Sequence, residues 1–198
     1  MPEYPTAIGT SNAEHISLLG HDLADELLGN VSFGELAFWL VARRRPNAHE
    51  VRVVEAVLVS LADHGFTPTA IAARLTYYSA PDSLQGAIAA GLLGGGSRFL
   101  GVTEDTGIYL HELVGRLPDG WGAWTDAEWD DSARTALLDA RERKARIPGL
   151  GHPVHKNGDP RTPVIIRIAK EEGTHGPHLK LFEAIGRVHP AILGKSLP

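Results

Sequence analysis

The sequence is constrained most strongly by the segment 147–161, which cannot form a regular helix or strand. It contains three prolines and three glycines, residues that interrupt regular backbone hydrogen bonding and favour turns of fixed shape. The ionisable side chains within it are His152, His155, Lys156, Asp159 and Arg161. Imidazole exchanges a proton near neutral pH, and guanidinium binds a carboxylate through two parallel hydrogen bonds. A stiff loop that carries these groups is a candidate functional site.

The rest of the sequence predicts helices. Ser32 to Glu35, Asn47 to Glu50 and Thr125 to Glu128 have the spacing of a capping box, and Thr67-Pro68 is typical of a helix start. Apolar residues recur behind these starts at intervals of three and four. Because no segment alternates with the period of a strand, the sequence predicts an all-α fold without strands.

Composition limits the function classes. The chain has 198 residues and a net charge of -5, which gives no reason to expect nucleic acid as a partner. It contains no cysteine, so disulfides, thiolate metal sites and thiol catalysis are excluded. Its apolar runs are too short to span a bilayer, and residues 1–5 lack the features of a signal peptide. A cytoplasmic protein without a membrane partner is therefore expected.

The pattern P-G-L-G-H-x-V at residues 148–154, followed by D-P-R at residues 159–161, resembles the signature loop of the citrate synthase family. That family includes citrate synthases and citryl-CoA lyases. The D-H-G element at residues 63–65 also resembles a family element. The resemblance implies a two-domain helical fold, in which residues 1–100 form the N-terminal part of the large domain and residues 101–198 the small, CoA-facing domain.

The resemblance also implies roles for single residues. His152 is expected to polarise and protonate the ketone oxygen of the substrate, with His64 as a second catalytic and carboxylate-binding residue. Arg161 is expected to bind a substrate carboxylate. The backbone of Gly149, Leu150 and Gly151 is expected to contact the CoA adenine. Lys156 is expected to lie near the CoA phosphates.

The implied substrates are acetyl-CoA or citryl-CoA and oxaloacetate or a citrate-like acid. A CoA thioester is expected as substrate, with neither a bound cofactor nor a metal. Because family members are helical homodimers, a homodimer is expected as well.

Two departures qualify the resemblance. Citrate synthases carry L-H-G-G near residue 99, with a histidine that contacts the thioester enol, whereas this chain has Phe99 there. The citryl-CoA lyase module of ATP-citrate lyase carries R-F-G-G, so the change favours a lyase over a synthase. The family's catalytic aspartate, in a segment resembling L-P-L-N-V-D-G, would follow Leu197-Pro198, so the fold is expected to be C-terminally incomplete. These departures leave open a non-catalytic CoA-binding or assembly module.

A metal site is a further alternative, built from two H-x-x-H pairs: His152 with His155, and His175 with His178. A proline lies inside each pair and disrupts the helical geometry that this spacing normally serves, so the alternative is disfavoured.

Other polar residues allow a structural as well as a functional reading. The run 43–45 of three arginines is expected to close a helix, with a phosphate-binding role as the minor option. His21 is expected to pack rather than to catalyse. His64 suits a helix C-terminus on physical grounds alone, and only the resemblance favours a ligand role.

Overall fold

The computed structural model of the chain describes residues 6–63, 65–96, 101–152 and 155–197. The chain divides into two compact units, each described by itself. Unit 1 comprises residues 1–62 and 167–174, and unit 2 comprises residues 63–166 and 175–198. The predicted domain division after residue 100 stays a prediction, because it refers to the domains of the family.

Helices dominate the described residues, which confirms the predicted all-α class. The α-helices are α1 (Phe33–Ala42), α2 (Ala48–Ser60), α3 (Pro68–Ser79), α4 (Leu84–Leu93), α5 (Val102–Val114), α6 (Asp126–Glu142), α7 (Arg161–Glu171) and α8 (Pro177–Leu193). Among the described helices, none has the length and apolar character needed to cross a membrane.

The capping residues explain where α1 and α2 begin. At α2 the reciprocal box is complete: the Glu50 amide donates to Asn47 Oδ1 at 2.9 Å, and the Asn47 amide donates to Glu50 Oε2 at 3.0 Å. At α1 the Glu35 amide donates to Ser32 Oγ at 3.1 Å, as predicted. The return bond is missing because the Glu35 carboxylate accepts from Arg45 Nε at 2.8 Å instead. The predicted box at Ser32 is therefore only half formed.

The prediction that the chain contains no strands was wrong for residues 9–22. A small antiparallel sheet is formed by β1 (Gly9–Ser11), β2 (Ile16–Leu18) and β3 (His21–Asp22), in the order β1-β2-β3. Strands of two or three residues are too short to give a period-two signal. A single π-helical turn, Leu23–Leu27, follows the sheet.

His21, at the start of β3, takes the packing role expected of it. Its ring lies edge-on to Trp39, with 5.1 Å between the centroids, and its Nδ1 lies 2.8 Å from Glu26 Oε2. Trp39 is buried.

The core of unit 2 is formed mainly between α6 and α8. The largest fully buried side chains are Trp129, Leu137, Leu181 and Ile185. Burying each of them contributes about 1.5–3 kcal/mol. The same cluster includes Ile147 and Leu150, so this core also fixes one end of the proline- and glycine-rich loop.

Helices α3 and α4 of unit 2 pack closely through small residues. A Cβ atom at Gly91 would lie 3.1 Å from Ala73 Cβ and 3.1 Å from the Thr69 carbonyl oxygen, so the close approach of the two helices requires glycine there. Apolar side chains on the other faces stay exposed, among them Leu75, Tyr78, Leu92 and Leu93.

Candidate active site

The loop 147–161 takes its shape from glycines in left-handed backbone conformations. The φ angles of Gly149, Gly151 and Gly158 are +83°, +95° and +104°. At Gly149 a Cβ atom would also lie 3.0 Å from both Phe182 Cε2 and Thr106 Oγ1. Gly149 is therefore required both for its conformation and for the close approach of the loop to α5 and α8.

His152 is held in one tautomer by the backbone of the loop. The His155 amide donates to His152 Nδ1 at 2.9 Å, and an amide can only donate. The neutral imidazole therefore carries its proton on Nε2, which becomes a hydrogen-bond donor. Lys156 Nζ donates to the His152 carbonyl at 2.9 Å. The ring centroids of His152 and His155 lie 4.6 Å apart.

The D-P-R end of the loop forms an ion pair that starts α7. Asp159 Oδ1 accepts from the Arg161 amide and from Arg161 Nε, both at 2.9 Å, while Arg161 Nη2 donates to Asp159 Oδ2 at 2.6 Å. The hydrogen bonds from Arg161 hold the pKa of the Asp159 carboxyl well below its usual value, and the same pair raises the pKa of Arg161.

The loop brings three of its ionisable groups together. One ligand-capable atom from each of His152, His155 and Asp159 lies within 4.8 Å of the other two. Two of these groups are already engaged, because His152 Nδ1 accepts the His155 amide and Asp159 accepts from Arg161. The Asp159 carboxylate that pairs with Arg161 therefore lies within 4.8 Å of a ring nitrogen of His152.

The two other histidines of the metal alternative make different contacts. His175 Nε2 pairs with Glu183, and the ring of His178 stacks on that of His111, with centroids 6.0 Å apart. Among the described residues, His152 and His155 group with Asp159 and not with this second pair. The four-histidine arrangement is therefore wrong.

A cavity of about 880 Å³ opens beside His152. The basic residues in its lining are Arg141, Arg146, Lys156 and Lys195, and the apolar ones include Ile147, Leu150, Leu193 and Leu197. No described lining residue is a carboxylate, although the whole chain has a net charge of -5. The lining suits a polyanion that also carries a flat apolar group.

The basic residues reach this cavity from separate parts of the chain. Arg141 lies in the last turn of α6, and its Nη1 donates to the Ile192 carbonyl at 3.1 Å. Arg146 lies immediately before the buried Ile147, and Lys195 follows the end of α8. Sequence reasoning missed Arg141 and Lys195 because only tertiary packing of α6 and α8 brings them to the loop, and it also missed Arg146, which directly precedes the loop in sequence.

The predicted site residues fall into three groups. Leu150, Gly151, His152 and Lys156 line the cavity. Gly149 and Arg161 belong to the same loop but lie outside the described lining. His64, and Phe99 with it, lie outside the residues that the structure describes.

Comparison with known proteins places this geometry in context. The model of a protein family described as "Citrate synthase, C-terminal domain" matches residues 7–196. A solved structure of citryl-CoA lyase from Hydrogenobacter thermophilus is 32% identical, with a TM-score of 0.81, and the match covers 98% of this chain and 70% of that one.

Two further similarities are weaker. 2-Methylcitrate synthase 1 of Corynebacterium glutamicum is 29% identical over 75% of this chain, which spans 36% of that protein. ATP citrate lyase from Methanothrix soehngenii, solved in complex with citrate and coenzyme A, is 20% identical with a TM-score of 0.77. That match covers 95% of this chain and 29% of the lyase, and at this identity it supports the fold alone.

Proposed function

Because the chain belongs to the citrate synthase family, we propose that it acts on a CoA thioester as a citryl-CoA lyase or citrate synthase-like enzyme. The reaction makes or breaks the carbon–carbon bond between acetyl-CoA and oxaloacetate. The observation that carries this proposal is the basic cavity beside His152.

The chemistry of the cavity matches that of coenzyme A. CoA combines phosphate groups with an adenine ring, and the cavity combines four basic side chains with the apolar side chains of Ile147, Leu150, Leu193 and Leu197. Guanidinium groups such as those of Arg141 and Arg146 bind phosphate through paired hydrogen bonds. Adenine lies against the backbone of Leu150 and Gly151 in this proposal, and the phosphates lie near Lys156, Arg146 and Lys195.

His152 stabilises the charge that the reaction creates on oxygen. In the condensation, the acetyl-CoA enolate attacks the ketone carbon of oxaloacetate, and the electron pair of the C=O bond moves to oxygen. In the cleavage, the same oxygen starts as the hydroxyl of citryl-CoA, and its proton passes to water. The resulting alkoxide re-forms the C=O bond, and the electron pair of the breaking carbon–carbon bond leaves on the acetyl-CoA enolate, which takes a proton from water. Because the His155 amide occupies Nδ1, the proton on His152 Nε2 is aimed as a donor toward that oxygen in both directions.

Arg161 binds a carboxylate of the oxaloacetate or citrate portion. Asp159 orients the guanidinium by accepting from Arg161 Nε and Nη2, and it also accepts from the Arg161 backbone amide at the start of α7. A planar guanidinium held in this way has the bidentate geometry that suits carboxylate binding. Ligand-capable atoms of Asp159 and His152 lie within 4.8 Å of each other, which supports a carboxylate-binding role for Arg161 close to the proposed reacting oxygen.

The test is a His152→Ala variant with His178→Ala as its matched control, because both are histidines of unit 2 and only His152 lines the cavity. We expect citryl-CoA cleavage to fall by about a thousandfold in His152→Ala, since such oxyanion donors contribute 10²–10³ and proton transfer adds to this. CoA binding measured by calorimetry should persist. Unchanged cleavage by His152→Ala contradicts the assignment, and CoA binding without turnover in the unaltered chain favours the non-catalytic module.

The chain is also proposed to form a homodimer. Tyr78, Leu92 and Leu93 on α3 and α4 are 90%, 68% and 86% exposed, and exposed apolar surface of this kind marks a protein–protein interaction site. Sedimentation equilibrium distinguishes a dimer from a monomer, and Leu93→Lys should shift the dimer toward the monomer if this surface is the interface.

A further inference from the structure

We infer that His189 is a positioning residue for the cavity: its imidazole clamps the segment 195–197, which carries Lys195 and Leu197 into the lining. The inference rests on the proposed function, since it assigns a consequence for CoA binding.

The hydrogen bonds of His189 define its tautomer. Its Nδ1 lies 2.9 Å from the Gly186 carbonyl oxygen and 3.2 Å from that of Ile185, and carbonyl oxygens only accept. Nδ1 therefore carries the ring proton. Nε2 is left with a lone pair, and it accepts the Leu197 amide at 2.7 Å.

This imidazole stands out in the core of unit 2. It is 3% exposed, and among the described residues it is the only polar one in the buried class. Placing a polar ring in an apolar interior costs free energy unless its hydrogen bonds are made, and here both ring nitrogens are used. The contacts of Nδ1 stabilise only the neighbouring turn of α8, whereas the contact of Nε2 holds a segment outside the helix.

The chain between His189 and Leu197 reverses direction around Gly194. That glycine has a φ of +68°, and its amide donates to the Pro190 carbonyl at 3.0 Å, which closes α8. Arg141 satisfies the Ile192 carbonyl nearby. The Leu197 amide then meets Nε2, and the Leu197 side chain packs against the apolar cluster of α6 and α8.

The hydrogen bond from the Leu197 amide to His189 Nε2 restricts the position of Lys195. Lys195 lies between the glycine turn and the clamped amide, so both ends of its short segment are fixed. Losing the Nε2 contact would leave the partly buried Leu197 amide without its acceptor and release the segment from one end. A lysine on a released segment spends less time at the cavity, and the affinity for a polyanion falls.

The experiment compares His189→Asn with His189→Gln, because the two amides reproduce different halves of the ring. The Asn amide reaches the position of Nδ1 and keeps only the contact with α8, whereas the Gln amide reaches the position of Nε2 and keeps an acceptor for Leu197. The control is His178→Asn, the same substitution on the same helix at a residue outside the described lining. Exchange of the Leu197 amide by NMR, CoA affinity by calorimetry and thermal unfolding are measured for each.

We expect His189→Asn to speed exchange of the Leu197 amide about tenfold and to weaken CoA binding about five- to tenfold, with His189→Gln and the control close to the unaltered chain. The inference is overturned if His189→Asn leaves either quantity unchanged, or if His189→Gln fails to restore both while remaining folded. If the Asn variant does not fold, the Gln variant alone decides, because it must keep both quantities. If the unaltered chain does not bind CoA, the proposed function fails, and the Leu197 exchange still reports whether His189 holds the segment.

Discussion

The basic residues discussed in the two units differ in their ion-pair partners. In unit 1, Arg44 donates to Glu50 through two bonds of 2.9 and 2.6 Å, and Arg45 Nε donates to Glu35 at 2.8 Å. In unit 2, Arg146 and Lys195 line the cavity, and no ion pair of theirs is formed among the described residues. The presence of a carboxylate partner therefore distinguishes a basic residue that closes a helix from one that is a candidate ligand-binding residue.

The two units also differ in how their basic residues come together. Those of unit 1 are adjacent in sequence, whereas those of the cavity are brought together by folding. Arg44 and Arg45 follow one another in a run that looks basic in sequence, yet neighbouring carboxylates neutralise both. The hydrogen bonds from Arg44 lower the pKa of Glu50 to about 2, so that pair stays ionised through mildly acidic pH. The basic residues of the cavity come from α6, the loop and the end of α8, and none of the lining residues that the structure describes is a carboxylate.

Charge reversal in the cavity should break this comparison most visibly. We expect the double variant Arg146→Glu, Lys195→Glu to weaken CoA binding by about a hundredfold, because two charge-assisted contacts are replaced by repulsion. The matched double variant Arg44→Glu, Arg45→Glu changes the net charge by the same amount in unit 1 and should leave the affinity unchanged. Calorimetry measures both, and equal losses in the two variants would mean that bulk charge and not the cavity determines binding.

Salt should sharpen the comparison with a smaller effect. Raising the ionic strength from about 0.01 to 0.1 M shortens the Debye length from about 30 to 10 Å, and we expect CoA affinity to fall several-fold over this range. The unneutralised cations of the cavity are responsible, so the double charge-reversal variant should lose most of this dependence. A salt dependence that survives in that variant would place the responsible cations elsewhere.

The smallest effect is expected from Arg44→Ala. Without the guanidinium, the pKa of Glu50 should rise from about 2 toward its ordinary value of 4.5, which an NMR titration of the carboxyl detects. Because the folded-state pKa is depressed, the stabilisation from this pair is fully present above pH 4.5 and is lost as the pH falls toward 2. The variant should therefore resemble the unaltered chain in acid and differ from it only at higher pH; a constant difference across this range would contradict the pairing.

Local features of the fold and site could be predicted from sequence. The capping residue Asn47 and the left-handed glycines at 149 and 151 act within a few residues of their own positions, so their pattern is visible in the sequence. The position of His152 in a stiff loop follows from the same local rules. The three-residue strands of the N-terminal sheet did not, because so short an element leaves no periodicity to detect.

Non-local features could not be predicted. Arg141 is an ordinary helix residue by its spacing, and Lys195 follows a helix end; only the packing of α6 on α8 and the turn at Gly194 bring both to one cavity. The return bond expected from Glu35 to Ser32 was lost to Arg45, ten residues away in sequence. Both outcomes depend on tertiary contacts between residues that are distant in sequence.

The most direct test of the central proposal is a crystal structure of the chain with bound CoA. We expect CoA phosphates within hydrogen-bonding distance of Arg146, Lys156 or Lys195, adenine against the backbone of Leu150 and Gly151, and the thioester directed toward His152. CoA bound at another surface, with this cavity holding only solvent, would contradict it.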